Sequence, residues 1–156
     1  MLNTSDRVAR LAAVLAAIGF IALAVFQAAL AAGAPWGRAA WGGGGTHLST
    51  AQRGASAVAV VVYVAAALVV LGRAGLWGTR GDTPLFRWAT WFLAAVMAIG
   101  AIPNFISQSR WENFIFGPLA LALAVLCVVV ARSSAPCAES ANIKRLAERD
   151  WSPGIH

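Results

Sequence analysis

The chain has 156 residues, of which 60% are hydrophobic and 12% charged, with a formal net charge of +6 and a mean hydropathy of +0.71. Soluble domains carry about 25% charged residues, so this composition excludes an ordinary water-soluble globule and leaves no room for a separate soluble domain. Nor does the positive charge point to nucleic acid: the arginines stand singly beside apolar runs, where they set topology and meet anionic headgroups, and form no cluster that grips a phosphate backbone.

Four apolar runs predict helices over about residues 8–32, 54–72, 88–104 and 113–132. Each suits a hydrocarbon core about 30 Å thick, which takes roughly 20 helical residues. The first run follows Arg7 and Arg10, and Ala29-Leu30-Ala31 resembles a signal-cleavage box. Its uncharged stretch from Leu11 to Ala32 outruns the core of about 7–15 residues of a signal peptide, so it reads as a retained span. The third run is the weakest, because Pro103 and Asn104 are expected to end its helix near the headgroups. Residues 133–156 change composition and form a tail. Within it, residues 142–150 are expected to form a short amphipathic helix or to stay a charged, unfolded segment.

Arg7, Arg10, Arg73, Arg80, Arg87, Arg132, Lys144, Arg145 and Arg149 flank one side of the four spans, and Arg38, Arg53 and Arg110 the other. The positive-inside rule then predicts cytoplasmic termini and outward-facing first and third loops. Trp36, Trp41 and Trp111 fall at the outer boundary and Trp77, Trp88 and Trp91 at the inner one, as two aromatic belts would. Small residues recur at helical spacing. They are Ala13, Ala17, Ala24, Ala28 and Ala31 in the first span, Ala55, Ala59 and Ala66 in the second, Thr90, Ala94, Ala98 and Ala101 in the third, and Gly117, Ala120, Ala124, Cys127 and Ala131 in the fourth. Such faces let backbones approach closely in lipid. Short connections favour antiparallel neighbours, so the predicted fold is an all-α, up-down-up-down membrane four-helix bundle.

Within the spans the sequence is nearly free of chemistry. No Asp or Glu lies in a run, which disfavours proton coupling, and the histidines are His47 in a loop and His156 at the last position, which disfavours haem. Cys127 and Cys137 have no CxxC spacing, and no HExxH or phosphate-loop motif occurs, so no metal or cofactor is expected. Gln27, inside the outer end of the first span, is expected to face other helices, either in an interhelical hydrogen bond or at the floor of an outer pocket. Tyr63 is expected to find a partner on a neighbouring helix. Loop one, with Trp36, Arg38, Trp41, His47 and Arg53, and loop three, with Asn104, Arg110, Trp111, Glu112 and Asn113, are expected to fold together as a cap. In one reading the cap is a tryptophan belt with Glu112 paired to Arg38 or Arg53. In the other it is a pocket walled by Trp36, Trp41 and Trp111, with an arginine for an anionic group.

The segment APWGRAAWGG after the first span, and RWENFIFGPLAL before the last, resemble the matching places in a family of small bacterial four-span integral membrane proteins. The resemblance covers the four spans but not the tail. It carries no established activity, and it implies the architecture and a bacterial inner membrane. The sequence therefore leads to a non-catalytic accessory protein or a binder of a lipid or small apolar ligand, alone, as a homo-oligomer or within a larger membrane complex. A small homo-oligomeric transporter is the first alternative. The chain is similar in scale to small multidrug exporters but lacks their membrane glutamate in span one. An enzyme acting at the outer leaflet is the second alternative; it would need a base or nucleophile, and only His47 and Glu112 qualify on that side.

Overall fold

The computed structural model describes residues 4–76 and 83–133. The expected tail helix, Cys137, Trp77, Arg80, Lys144, Arg145 and Arg149 lie outside the described residues. The chain folds into four long helices: α1 (Thr4–Ala32), α2 (Thr50–Arg73), α3 (Pro84–Ile106) and α4 (Gly117–Arg132). No strand occurs among the described residues. A wide π turn at Glu112–Phe116 leads directly into α4, making one continuous helical run of 21 residues. All four helices are long and apolar enough to cross a membrane.

Two properties of the packing suit lipid. The core is built from small residues: Ala16, Ala17, Ala66, Ala67 and Ala94 surround Phe20, Leu123, Val70 and Cys127. The large side chains point the other way, with Val58, Val61, Val62, Phe92, Ile99, Leu121 and Val125 exposed on the bundle surface. In water that surface would drive association, whereas hydrocarbon solvates it. Helices that are apolar all round fit membrane spans. The predicted small face of α4 is buried throughout. That of α1 is buried from Ala13 to Ala24 but opens at Ala28, and Ala55 and Ala98 are exposed. On α2 the fully buried residue in that region is Ser56, next to Ala55.

The helix ends run further than the apolar pattern suggests. Ser49 and Gln52 form a capping box that starts α2 at Thr50: the Gln52 backbone N–H donates to Ser49 Oγ at 3.3 Å, and the Ser49 N–H donates to Gln52 Oε1 at 3.0 Å. Pro84 sits in the first turn of α3, where its missing N–H removes no bond. Pro103, expected to end α3, lies inside it, and the helix continues to Ile106. Asn104 Nδ2 donates to the Gly100 carbonyl, one turn back, at 3.1 Å, so a polar side chain supports the backbone where proline weakens the ladder. The π turn follows from Pro118, which has no N–H to offer. Instead the Gly117 N–H reaches back to the Glu112 carbonyl.

Consecutive helices are antiparallel. Arg53 near the start of α2 bonds to Ala31 near the end of α1, so these two run in opposite directions. Arg73 at the end of α2 bonds to Ala131 at the end of α4, so α2 and α4 run the same way. The connections after α1 and before α4 therefore gather at one end, the cap end. Thr4, Arg73, Pro84 and Arg132 mark the other, the terminal end.

Candidate functional site

The cap is built around a left-handed turn. Trp41 has φ of +54°, followed by Gly42 at +81° and Gly43 at +76°. Glycine adopts this conformation freely, while a bulky residue is strained in it, by about 1–2 kcal/mol. The turn aims the Gly42 N–H at Glu112, at 3.2 Å from both carboxylate oxygens. Ser107 Oγ also donates to Glu112. Ser109 ties the two loops a second time: its Oγ donates to the Arg38 carbonyl at 2.8 Å. Gly37 closes the first loop, donating to the Thr46 carbonyl at 2.9 Å. A Cβ at Gly37 would meet the Gly45 carbonyl oxygen at 2.5 Å, so only glycine fits there.

The loops thus fold together, as the sequence predicts, but the charge arrangement differs from expectation. Glu112 is held by a backbone N–H and a hydroxyl, with neither Arg38 nor Arg53 as partner. Arg53 Nε is drawn instead to the Ala31 carbonyl at 3.0 Å, where the end of α1 leaves carbonyls without intrahelical donors. Glu112, read from sequence as a loop residue, opens the last helical run and is 9% exposed.

Beneath the cap lies a cavity of about 820 Å³. α1 contributes Phe26 and Gln27, the left-handed turn Trp41 and Gly42, α2 Tyr63, α3 Met97 and Asn104, and the π turn Glu112 and Phe116. Phe26 and Phe116 are in contact, with ring centroids 4.7 Å apart. Tyr63 stacks on Phe20 at 6.3 Å, so the helix partner it finds is a ring. Gln27 Oε1 is buried without a hydrogen-bond partner among the described residues. Gln27 lines the cavity, and its carbonyl makes no interhelical hydrogen bond among the described residues. A buried acceptor without a donor costs about 1–3 kcal/mol, which a donating ligand or water recovers.

No family model, characterised protein or solved structure matches the chain. The chemistry of the site rests on its own residues. Of the sequence candidates, Gln27, Trp41, Asn104 and Glu112 line the cavity together. Trp36, Arg38, His47, Arg53, Arg110, Trp111 and Asn113 do not. Trp36 stacks on the wall residue Phe26 at 6.2 Å, and Trp111 is exposed. Asn113 Nδ2 donates to the Phe105 carbonyl. His47 is exposed and lies outside the cavity that Glu112 lines. The aromatic lining of this cavity is one tryptophan, two phenylalanines and a tyrosine, with the Glu112 carboxylate beside them, and Trp36, Trp111 and the cap arginines lie outside it. Phe26, Met97 and Phe116 gave no sequence signal, because each is one apolar residue among many in its helix; Tyr63, the single aromatic residue of α2, stood out in the sequence as a residue seeking a helix partner and not as a cavity wall. No cluster of metal-ligating residues occurs among the described residues.

Proposed function

We propose that the chain is a non-catalytic membrane protein that binds a small amphipathic ligand in the cap cavity, and that this ligand carries an amine. The observation that carries the reading is the lining itself. It holds one carboxylate and a donor-seeking amide oxygen against aromatic walls, and no Lys, Arg or His among the described residues. A carboxylate has about four lone-pair sites, and the cap's donors leave room for another. Aromatic faces attract ammonium groups, and apolar walls at this depth accept an alkyl body. The arginine distribution supports a cap facing outward with both termini in the cytoplasm. Residence in a bacterial inner membrane, and membership of the four-span family whose PWG and AWGG positions the chain resembles, belong to the same proposal. The carrier alternative draws support from the same buried carboxylate, since intramembrane acids mark transport pathways.

The test compares decyltrimethylammonium, decanol and decyl sulfate for binding to the protein in lipid nanodiscs. The cation is expected to bind at least about tenfold more tightly than the sulfate, a difference of about 1.4 kcal/mol. Glu112→Gln, which preserves an acceptor for Gly42, is expected to erase that preference. Met97→Trp, which fills the cavity, is expected to abolish binding of all three. Tighter binding of the sulfate, or unchanged binding in Met97→Trp, would overturn the reading. Flux of the cation across sealed vesicles, lost in Glu112→Gln, would replace the binder by the carrier.

A further inference from the structure

At the terminal end, a second cavity of about 470 Å³ is lined by Arg73, Arg87 and Arg132 together with Trp88 and Trp91. Its described lining contains no carboxylate. The three arginines come from three different helices, α2, α3 and α4, so the fold and not a local charge run brings them together. Arg73 is 4% exposed and fixed in place: its Nη2 donates to the Ala131 carbonyl at 3.5 Å and to the Ser133 carbonyl. A charge this deep is costly unless hydrogen-bonded, and the carbonyls ending α4 supply those bonds. Arg87 and Arg132 are exposed at the rim. Trp88 and Trp91 are also exposed, on the first turns of α3. Tryptophan at a helix end sits at headgroup depth, with its ring against the acyl boundary. A pocket with three guanidiniums at that depth suits a phosphate, which planar guanidinium forks bind in bidentate fashion.

We infer that this cavity is a phosphate-binding site, occupied by the headgroup phosphate of an anionic lipid in the leaflet at the terminal end. Basic pockets between membrane helices hold anionic lipid headgroups in this way. Arg87 and Arg132 reach the phosphate oxygens, Arg73 forms the floor through its bonds to the end of α4, and the two indoles pack beside the glycerol and first methylenes.

Native mass spectrometry of the full chain, released from a neutral detergent, tests this with short-chain phosphatidylglycerol, short-chain phosphatidylcholine and inorganic phosphate. One phosphatidylglycerol is expected to be retained about tenfold more strongly than phosphatidylcholine. The Arg87→Gln/Arg132→Gln double variant is expected to weaken it about 30-fold, the combined effect of two headgroup-facing arginines. Both residues are exposed, and an unchanged thermal midpoint confirms that the variant is folded. Arg38→Gln/Arg110→Gln at the cap end serves as the charge-matched control, with retention expected to change less than twofold. Competition by millimolar inorganic phosphate assigns the site to free phosphate and supports the shared chemistry; its absence assigns the site to the lipid. Equal retention of the two lipids with no phosphate binding, or an equal loss in the control variant, overturns the inference.

Discussion

At the cap end, Glu112 and Gln27 face a cavity of about 820 Å³ whose described lining holds no basic residue. At the terminal end, Arg73, Arg87 and Arg132 line a cavity of about 470 Å³ whose described lining holds no acid. The helices α2, α3 and α4 line both, α1 lines only the cap cavity, and both have aromatic walls. The difference comes from what closes each end. Two loops close the cap end, and they recruit a carboxylate by offering it backbone and hydroxyl donors. At the terminal end, among the described residues, carbonyls at the end of α4 accept from the Arg73 guanidinium. In a bundle with almost no polar side chains in its spans, the unsatisfied backbone decides which charges come inside. The two cavities thereby carry linings of opposite charge.

The largest effect that would break this contrast is at Arg73. Arg73→Met removes a buried guanidinium and leaves the last carbonyls of α4 without its donors. Each charged hydrogen bond of this kind is worth about 1.5–3 kcal/mol, so a loss of about 2 kcal/mol in unfolding free energy is expected, measured in detergent by thermal or denaturant titration. Binding of decyltrimethylammonium at the cap should change less than twofold. A parallel loss at the cap would show that the two ends form one cooperative unit.

The next effect sharpens the cap end. Gly42 has φ of +81° and Gly44 does not, and a methyl group added at either position would meet nothing within 4 Å. Gly42→Ala therefore differs from Gly44→Ala in backbone conformation alone. The first should cost about 1–2 kcal/mol through left-handed strain, and the second should stay within about 0.5 kcal/mol. Hydrogen exchange at residue 42 reads the same event locally. Faster exchange in the Gly42→Ala protein would show that the N–H has left the Glu112 carboxylate.

How much of this was legible in the sequence follows the same division. The four helices were, because hydrocarbon thickness dictates their length and the small-residue spacing dictates most of their buried faces. Their ends were less so. Pro103 reads as a terminator when taken alone, yet Asn104 supports the turn around it and the helix runs on. Glu112 reads as a loop residue until Pro118, by withholding an N–H, widens the preceding turn and carries the helix back to it. The cap cavity was legible only at its polar points, Gln27, Trp41, Asn104 and Glu112. Its shape depends on Gly42 meeting a carboxylate 70 residues away, and no periodicity encodes such a contact. At the terminal end, Arg73, Arg87 and Arg132 read as separate topology signals, because they lie on three helices and only the fold joins them.

The smallest effect concerns how α2 is held at each end. Each end is tied to another helix, through Arg73 to α4 and through Arg53 to α1, but at the cap-end start the backbone N–H groups are also satisfied locally, because Ser49 and Gln52 cap each other. Ser49 is exposed and does not line the cavity. Ser49→Ala should therefore cost about 1 kcal/mol, the usual value of an N-cap, and Ser49→Asp, which keeps an acceptor at the same position, should recover most of it. Amide exchange at Gln52 and Arg53 should speed up in the alanine variant alone. Cation binding in the cavity should not follow, because the turn that presents Gly42 to Glu112 is anchored by Gly37 and Ser109 and not by the start of α2. If binding falls with the cap residue, the α2 terminus rather than the left-handed turn holds the site open, and the cap end would depend on its helices just as the terminal end does.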